Sequence, residues 1–549
     1  MKKLIKNNFP NFFYFLAYVK NRVKSFNSFY QYKIFKQLKG LSKSPFSKRK
    51  DKKILFFLAR QDKSQLAFSK IIDLSLQLRG HETLTIGCDG DIRKSCNSGA
   101  SPKIDYFACK ECKEFSSKTH SISKSNIFWL SELYNSNDLM EANKIINQFN
   151  DKDLPNVFFK GYHIGEFVRV SINHFLKVNA IDLEDNNTVK IYRDFLKASV
   201  RQINSFDRFL DEHKPDRVFM LNGLFAAERI MLEVARSKNI HVVTYEVGYR
   251  PQTFFLWHNK PIDMCCNDFW DEFKEKKLSK IQNKQLDQYI DERYKGGGMI
   301  INYFPNMQTD ISIITKKFNI DFNKKTFLLF PNLTWDSTLY NIDLFFESHS
   351  NWIIETIEHF ISRPNDQLII RCHPSESILD NADRDKVQDI IERNFKSLPQ
   401  NIIIIPSDSG ISSYLLMDKS ICGLFYGSTT AIEMGVKGTP TVIVGDIFYR
   451  KLGVSIDPND KAEYFSIINK ISSDTYDFNK QDFKETWRRY AYYAIFRSGI
   501  PLNFLHYPDV FAEPYFNIDK IDNLSPGKNV NLDIICNGII NKKRFLIEK

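Results

Sequence analysis

Two short segments of the sequence carry side chains that could hold a phosphate group. The first, residues 369–374, is an apolar run that ends on Arg371, His373 and Pro374. Where a parallel strand ends and a helix begins, free backbone N–H groups and the helix dipole favour an anion. A histidine there can donate hydrogen bonds to phosphate oxygens, although a strand-end histidine with only a structural hydrogen bond has the same signature.

The second segment, residues 421–445, reads as a strand, a tight turn, a helix and another strand. Gly427 lies in the turn, where a glycine lets the backbone approach a ligand closely. Ser428 and Thr429 open the helix, so their hydroxyls and the first helical N–H groups can hold phosphate oxygens. Together with the first segment, this pattern predicts a site for the phosphates of a nucleotide.

Glu433, five residues after Ser428, has two interpretations. Its carboxylate could accept hydrogen bonds from both hydroxyls of a ribose. The spacing from Thr430 to Glu433 also matches a capping box, which stabilises a helix start without any ligand. The sequence leaves both open.

Two further strand ends carry charged groups. Glu246 and Arg250 follow a strand that ends near Tyr245, and an arginine there suits a planar carboxylate or phosphate. The alternative is a glycine turn with a surface ion pair. Asp336 follows the strand ending at Phe330 and is the candidate catalytic carboxylate, as general base or nucleophile, unless it is only a turn or N-cap aspartate. Since no D-x-D pattern stands out as a nucleotide-sugar site, we expect no metal in catalysis.

The elements that must position these residues alternate strand and helix in two blocks. In the first block, short apolar runs predict strands at 53–59, 81–87, 217–221 and 240–245, with helices at 65–78 and 226–238 and a mostly helical insertion at 120–213. In the second block, strands are predicted at 326–330, 367–371, 402–405, 421–425 and 441–444, with helices between them. We therefore predict an α/β protein with two Rossmann-like, doubly wound domains, 53–305 and 306–470, that face a cleft and precede a helix and tail at 471–549.

The positive charge is concentrated before the first strand. The chain has a net charge of +12, yet residues 1–53 hold 15 Lys and Arg against one acid, and the rest is close to neutral. Aromatic residues are interleaved with these charges, and the longest apolar run is far shorter than the ~20 residues that span a bilayer. We predict that residues 1–52 form an amphipathic arm on an anionic membrane surface. A solvated leader and a nucleic-acid arm are the alternatives, and nucleic acid is disfavoured because the body has no matching basic face.

Nine cysteines in 549 residues do not indicate a disulfide scaffold. Four of them cluster in a loop at 88–112: Cys88, Cys96, Cys109 and Cys112. Four thiolates can ligate a structural zinc ion, although this spacing is not that of a standard zinc finger. Reduced cysteines under a loop are the alternative.

These motifs together resemble the bacterial capsule polysaccharide synthesis proteins with a His-Pro motif, which are relatives of the Kdo-transferring capsule glycosyltransferases. The resemblance runs through most of residues 53–500 and is carried by Gly161-Tyr-His-Ile-Gly165-Glu166, Asn222-Gly223, Glu246-x-Gly248-Tyr-Arg250-Pro251, Asp336, Arg371-x-His373-Pro374 and Ser428-Thr429 with Glu433. It implies a GT-B fold, with the donor nucleotide bound mainly by the second domain. It also implies an acceptor glycan on the first domain, where Asn222 and Arg250 would lie. The expected place of action is the cytoplasmic face of the membrane.

The resemblance is incomplete. A Kdo transferase of this group would carry Gln four residues before the catalytic Asp, and this chain has Asn332. We therefore expect a glycosyltransferase that uses a nucleotide-activated sugar and a lipid-linked or growing glycan, without specifying the sugar. Two alternatives stay open: a CDP-glycerol-type polyol-phosphate transferase, and a catalytically inactive protein of this fold that binds glycan or scaffolds an assembly.

Overall fold

The computed structural model describes residues 51–548 apart from gaps at 61–62, 98–105, 122, 124, 263–268, 298–307, 379–385, 479–481, 507–514 and 519. Nearly all of the predicted arm at 1–52 therefore lies outside the described residues, as does most of the predicted boundary region around residue 305. None of the helices within these ranges combines the length and the apolar content needed to cross a bilayer.

The strands are, in chain order, β1 Lys53–Leu58, β2 Glu82–Gly87, β3 Asn126–Trp129, β4 Arg217–Leu221, β5 His241–Val247, β6 Thr253–His258, β7 Lys325–Phe330, β8 Asp366–Arg371, β9 Ile402–Ile405, β10 Cys422–Phe425, β11 Thr441–Ile443, β12 Ile500–Pro501, β13 Leu505–His506 and β14 Tyr515–Phe516. The helices are α1 Lys63–Leu78, α2 Tyr106–His120, α3 Leu130–Leu133, α4 Ser136–Ile146, α5 Ile164–Leu176, α6 Asn186–His213, α7 Ala226–Ser237, α8 Trp270–Phe273, α9 Lys280–Tyr294, α10 Ile311–Phe318, α11 His349–Ile361, α12 Ser375–Ile378, α13 Val387–Asn394, α14 Ser413–Met417, α15 Thr430–Lys437, α16 Lys461–Ser472, α17 Phe483–Tyr492 and α18 Val530–Asn541.

The first compact unit contains the described residues up to 176, those of 181–262 and those of 499–548. Its sheet has the order β12-β6-β5-β4-β1-β2-β3, in which the five strands from β5 to β3 are parallel. The order of those five is that of a Rossmann-like doubly wound sheet. β6 and β12 extend it as antiparallel strands.

The second unit contains residues 177–180 and 263–498. Its sheet is entirely parallel and has the order β11-β10-β7-β8-β9, the same winding as the five parallel strands of the first unit. The prediction of an α/β protein with two Rossmann-like units is confirmed.

Continuous apolar runs explain why these strands form the centre of each unit. Every residue of β8 is buried, and β1 and β7 are buried after their first lysine. Strands covered by helices on both faces require such runs, because neither face meets water. The two cores are separate clusters built around β1 with α1 and around β7 with α11.

Several boundaries differ from the sequence prediction. The stretch predicted as helical contains the short strand β3, and β6 forms an unpredicted hairpin with β5. Residues 269–297 belong to the second unit rather than to the first, because α9 is tied to α17 through Arg488, which donates to Asn283 and Asp287. The tail after 499 belongs to the first unit, because Arg79 of α1 donates to the Leu524 carbonyl at 2.8 Å and forms an ion pair with Asp533.

Candidate active site

Three predicted segments meet at one edge of the second sheet. In the register of β8, β7 and β10, Leu329 lies beside Ile370 on one side and Leu424 on the other. Three residues further along each chain, the strands have given way to loops that begin at the same level: His373, Asn332 and Gly427. β7 and β10 flank the point where the winding reverses, which is where ligands of open α/β sheets bind. The topology therefore brings the His-Pro segment, the loop before Asp336 and the Ser-Thr turn to a common edge.

His373 is held as a neutral imidazole. Its Nδ1 accepts a hydrogen bond from the Ser375 N–H at 3.1 Å, in the turn where Pro374 leads from β8 into α12. Burial, helped by the nearby positive charge of Arg371, lowers the pKa of His373 to about 4. With Nδ1 accepting, the single proton of the neutral ring lies on Nε2, which makes that nitrogen a hydrogen-bond donor at neutral pH.

Arg371 does not fit its predicted role as a phosphate ligand. Its side chain is 2 % exposed and donates to backbone carbonyls of Cys372 and Pro406 at 2.8 Å and of Ile411 at 3.3 Å. Burial lowers its pKa to about 10, so it keeps its charge at neutral pH. Arg371 therefore fastens the loop after β9 to the end of β8 and acts on His373 through its electric field.

The Ser-Thr turn is positioned by a buried tyrosine. Tyr449 donates to the Ser428 carbonyl at 2.6 Å and accepts from the Ser428 N–H at 3.3 Å. The Ser428 hydroxyl accepts from the Thr430 N–H at 3.2 Å, and Thr429 is exposed at the start of α15. Packing explains the glycine at position 427 without the predicted close approach of a ligand, since a Cβ there would lie 3.0 Å from Ile342. Binding of an anion by Ser428 and Thr429 at the helix start stays a prediction.

Asp336 lies in the loop that follows β7. Its Oδ1 accepts from both the N–H and the hydroxyl of Thr338 at 2.8 Å, so it is the N-cap of the short 3₁₀ helix Ser337–Leu339. Both hydrogen bonds are accepted by Oδ1, and neither involves Oδ2. The N-cap alternative is therefore confirmed for one oxygen, and the half-buried carboxylate stays the candidate catalytic group.

Glu433 does not fit its predicted role as a ribose ligand. Its Oε1 accepts from Arg293 Nη2 at 2.6 Å and Nε at 2.9 Å, and its Oε2 accepts from the Tyr414 hydroxyl at 2.8 Å. The residue is 5 % exposed, and the predicted capping box with Thr430 is absent, since the carboxylate binds Arg293 and Tyr414 and the N-cap residue Thr429 makes no side-chain cap bond. Glu433 is part of a buried ion pair that fastens α9 to α15.

In the first unit, the structure brings two predicted residues together. Asn222 at the end of β4 donates from Nδ2 to Glu246 Oε2 at 2.9 Å, and its Oδ1 accepts from the Leu224 N–H at 3.1 Å. Leu221 of β4 lies beside Tyr245 of β5. Asn222 and Glu246, the residues that follow them in the sequence, therefore lie at the same level. Arg250 lies in the β5–β6 hairpin and is half-buried, with a long 3.4 Å contact to the Gly499 carbonyl. The structure pairs Glu246 with Asn222 rather than with Arg250.

Sequence reasoning missed two buried residues near the edge of the second sheet. His349 donates from Nε2 to the Pro331 carbonyl, and burial lowers its pKa to about 4. Glu376 is 1 % exposed, and its Oε1 accepts from the Val387 N–H at 3.2 Å. The spacing His373-Pro-x-Glu376 was visible in the sequence, whereas a lone histidine opening an amphipathic helix gave no signal.

The four loop cysteines are free thiols, and each is half-buried. Burial raises the pKa of the Cys88 thiol well above its usual value, and the neighbouring Cys96 raises it further. Within the described ranges, no three His, Cys, Asp or Glu side chains gather closely enough to hold a metal ion. Zinc binding by Cys88, Cys96, Cys109 and Cys112 stays a prediction.

The fold and this edge define a doubly wound α/β protein with a candidate phosphate site in its second unit. No family model matches the chain, and no curated protein matches it. Among solved structures, the beta Kdo 2,4 transferase KpsC of Thermosulfurimonas dismutans is similar at 11 % identity, 57 % coverage of this chain, 88 % of that chain and a TM-score of 0.36. The beta Kdo 2,7 transferase KpsC of the same organism has 12 % identity, 53 % and 80 % coverage and a TM-score of 0.32. The UDP-GlcNAc 2-epimerase of Methanocaldococcus jannaschii has 11 % identity, 80 % and 98 % coverage and a TM-score of 0.30. At these scores the likeness decides nothing about activity, which must be argued from the residues.

Proposed function

We propose that the protein is a metal-independent glycosyltransferase of the GT-B class. It would use a nucleotide-activated sugar to extend a capsule or other cell-surface polysaccharide. The resemblance in motif order supports the class, and the edge of the second sheet supports the use of a nucleotide donor.

The observation that carries the proposal is that a neutral His373 and the Ser-Thr turn lie at the same edge of the second sheet, after β8 and β10, the two strands that flank β7. The Nε2–H of His373 is a hydrogen-bond donor, and α15 begins beside Ser428 and Thr429. A donor that needs no change of protonation suits a phosphate whose negative charge grows as the nucleotide departs. Because the ring of His373 is neutral, the site also avoids the cost of desolvating another cation.

The remaining roles follow from this arrangement. His373, Ser428 and Thr429 would bind the donor phosphates, and Arg371 would position His373 while adding positive potential. Asp336 would supply the carboxylate at the reacting sugar through Oδ2, which its capping bonds do not use. In the first unit, Glu246, held by Asn222, would be the polar group that meets the acceptor glycan.

The proposed place of action is the cytoplasmic face of the cell membrane. The concentration of 15 Lys and Arg in residues 1–53 supports it, because each cation near an anionic surface adds ~1 kcal/mol to binding. The acceptor would then be a glycan that is lipid-linked or still growing at that surface.

The test is calorimetric titration of the full chain with CMP, UDP, GDP and CDP-glycerol. His373→Ala should abolish binding of whichever nucleotide binds, with the fold unchanged by circular dichroism. His359→Ala is the matched control, since His359 belongs to the same unit and hydrogen-bonds Asn469 on a helix surface. Equal binding by wild type and His373→Ala would refute the assignment.

The identity of the nucleotide separates the alternatives. UDP or GDP binding indicates a hexose donor, whereas CMP binding indicates an acidic sugar or a polyol phosphate. Phosphorus in the transferred product would then favour the CDP-glycerol-type transferase. A folded protein that binds none of the four would make the inactive glycan-binding scaffold the better description.

A further inference from the structure

The first sheet has its own reversal point, and a charged pair lies beside it. β1 and β4 are neighbours at the centre of that sheet, and the chain leaves them in opposite directions, towards β2 and towards β5. Arg60 follows β1 by two residues, and Glu228 lies in the first turn of α7, the helix that follows β4. Crevices at such points are the usual ligand sites of open α/β sheets.

Arg60 and Glu228 are joined by one hydrogen bond and each has a polar atom left over. Arg60 Nε donates to Glu228 Oε1 at 2.8 Å, and the guanidinium lies 3.9 Å over the Phe225 ring. The Arg60 side chain is 13 % exposed and that of Glu228 is 2 % exposed. Arg60 Nη2 and Glu228 Oε2 are buried with no hydrogen-bond partner. Buried polar atoms nearly always have partners, because an unmet one costs about 1–3 kcal/mol.

The two unmet atoms specify a ligand by their chemistry. Nη2 can only donate a hydrogen bond and Oε2 can only accept one. A hydroxyl group does both, so one sugar or polyol hydroxyl would satisfy the pair. A phosphate offers mainly acceptors at neutral pH, and its negative charge would be repelled by the carboxylate of Glu228. The backbone near the start of α7 adds little for an anion, since the N–H groups of Leu224 and Ala226 are already donated to Asn222 and Ser171.

We propose that Arg60 and Glu228 form a hydroxyl-binding site for the glycan acceptor in the first unit. The inference rests on the proposed glycosyltransferase function. It adds the residues that recognise the acceptor and states that the recognised group is an uncharged hydroxyl.

The test is saturation-transfer NMR of the full chain with a panel of methyl glycosides of glucose, galactose, mannose and N-acetylglucosamine, and with inorganic phosphate. Glu228→Gln replaces the unmet acceptor by a donor, so binding of the responsive glycoside should weaken roughly tenfold or more. Glu233→Gln is the matched control on α7, because Glu233 pairs with Arg229 and Arg236. Its glycoside binding should equal that of the wild type.

A double variant, Arg60→Met with Glu228→Leu, separates ligand binding from a structural role. Removing both charges together should leave the protein folded, since a buried ion pair can be exchanged for apolar residues at little cost. Glycoside binding retained by that folded variant would overturn the inference, as would wild-type binding of phosphate in place of glycosides. Wild-type nucleotide binding without any glycoside binding would also overturn it while leaving the proposed function in place. Absence of nucleotide binding would instead refute the proposed function.

Discussion

Asn332 Nδ2 donates to the Gly427 carbonyl over 2.9 Å and so joins the loop after β7 to the turn after β10. The same side chain accepts the Leu333 N–H at 2.8 Å, and the residue has a φ of 62°. Asparagine is one of the few residues that tolerate this left-handed backbone. The departure from the glutamine of the Kdo transferases thus has a local reason, since Asn332 bridges the two loops that flank the reversal point of the sheet.

Replacing Asn332 by alanine should destabilise the second unit by about 2 kcal/mol, because both bonds are lost and alanine strains the left-handed backbone. Urea denaturation measures the change. Asn239→Ala is the control for backbone strain alone, since Asn239 has a φ of 56° at an exposed position. Equal losses in the two variants would show that the bridge to Gly427 contributes nothing.

Asp336 has two separable roles. Asp336→Asn keeps an N-cap for Thr338 and should change stability by less than about 0.5 kcal/mol, whereas Asp336→Ala should cost about 1 kcal/mol. Both variants should lose turnover if the carboxylate does the chemistry. Asp310→Asn, at the N-cap of α10, is the control and should keep full activity. Turnover retained by Asp336→Asn would exclude the catalytic role.

The pair of Glu433 and Arg293 predicts a stability pattern rather than a ligand effect. Glu433→Leu alone leaves a buried arginine unpaired and should cost about 3–5 kcal/mol, while the double variant with Arg293→Met should recover most of that loss. Chemical denaturation measures both. A folded double variant that no longer bound any nucleotide would restore Glu433 as a ribose ligand.

Acid should destabilise the protein through its buried histidines. The pKa of His349 is lowered from 6.5 to about 4, so the unfolded state binds more protons between these values. The contribution of neutral His349 to the free energy of unfolding is therefore fully present above pH 6.5. It falls by about 3 kcal/mol as the pH drops towards 4. His349→Gln can still donate to the Pro331 carbonyl but does not titrate. The variant should therefore lose less free energy of unfolding between pH 6.5 and 4 than the wild type does. An unchanged pH slope in urea denaturation would contradict the account.

The basic arm should control membrane binding. The full chain should sediment with vesicles containing phosphatidylglycerol and not with pure phosphatidylcholine, and salt should release it. Deleting residues 2–50 should remove this binding without changing nucleotide affinity. Vesicle binding that survives the deletion would place the membrane contact elsewhere in the chain.

The fold followed from the sequence because buried parallel strands need continuous apolar runs, and β1, β7 and β8 are such runs. β3 was not predicted because its apolar run, residues 127–130, is short and lies inside a stretch predicted as helical. The Arg371 prediction failed because the sequence shows only that Arg371 closes a strand, whereas two of the carbonyls that it binds, those of Pro406 and Ile411, lie 35 and 40 residues further along the chain. Glu433 was misread because its partner Arg293 lies 140 residues away, beyond any local pattern.

The return of residues 499–548 to the first unit has a consequence for synthesis on the ribosome. The core around α1 includes Leu532, Ile535 and Ile539 of α18, and β12 completes the edge of the first sheet. The first unit therefore lacks part of its core until residues 532–545 have been made, after the whole of the second unit. Nearly all of the second unit is encoded in between and can fold first. A nonsense mutation near residue 500 would spare the second unit and damage the first, although most of the first unit precedes the second in the sequence.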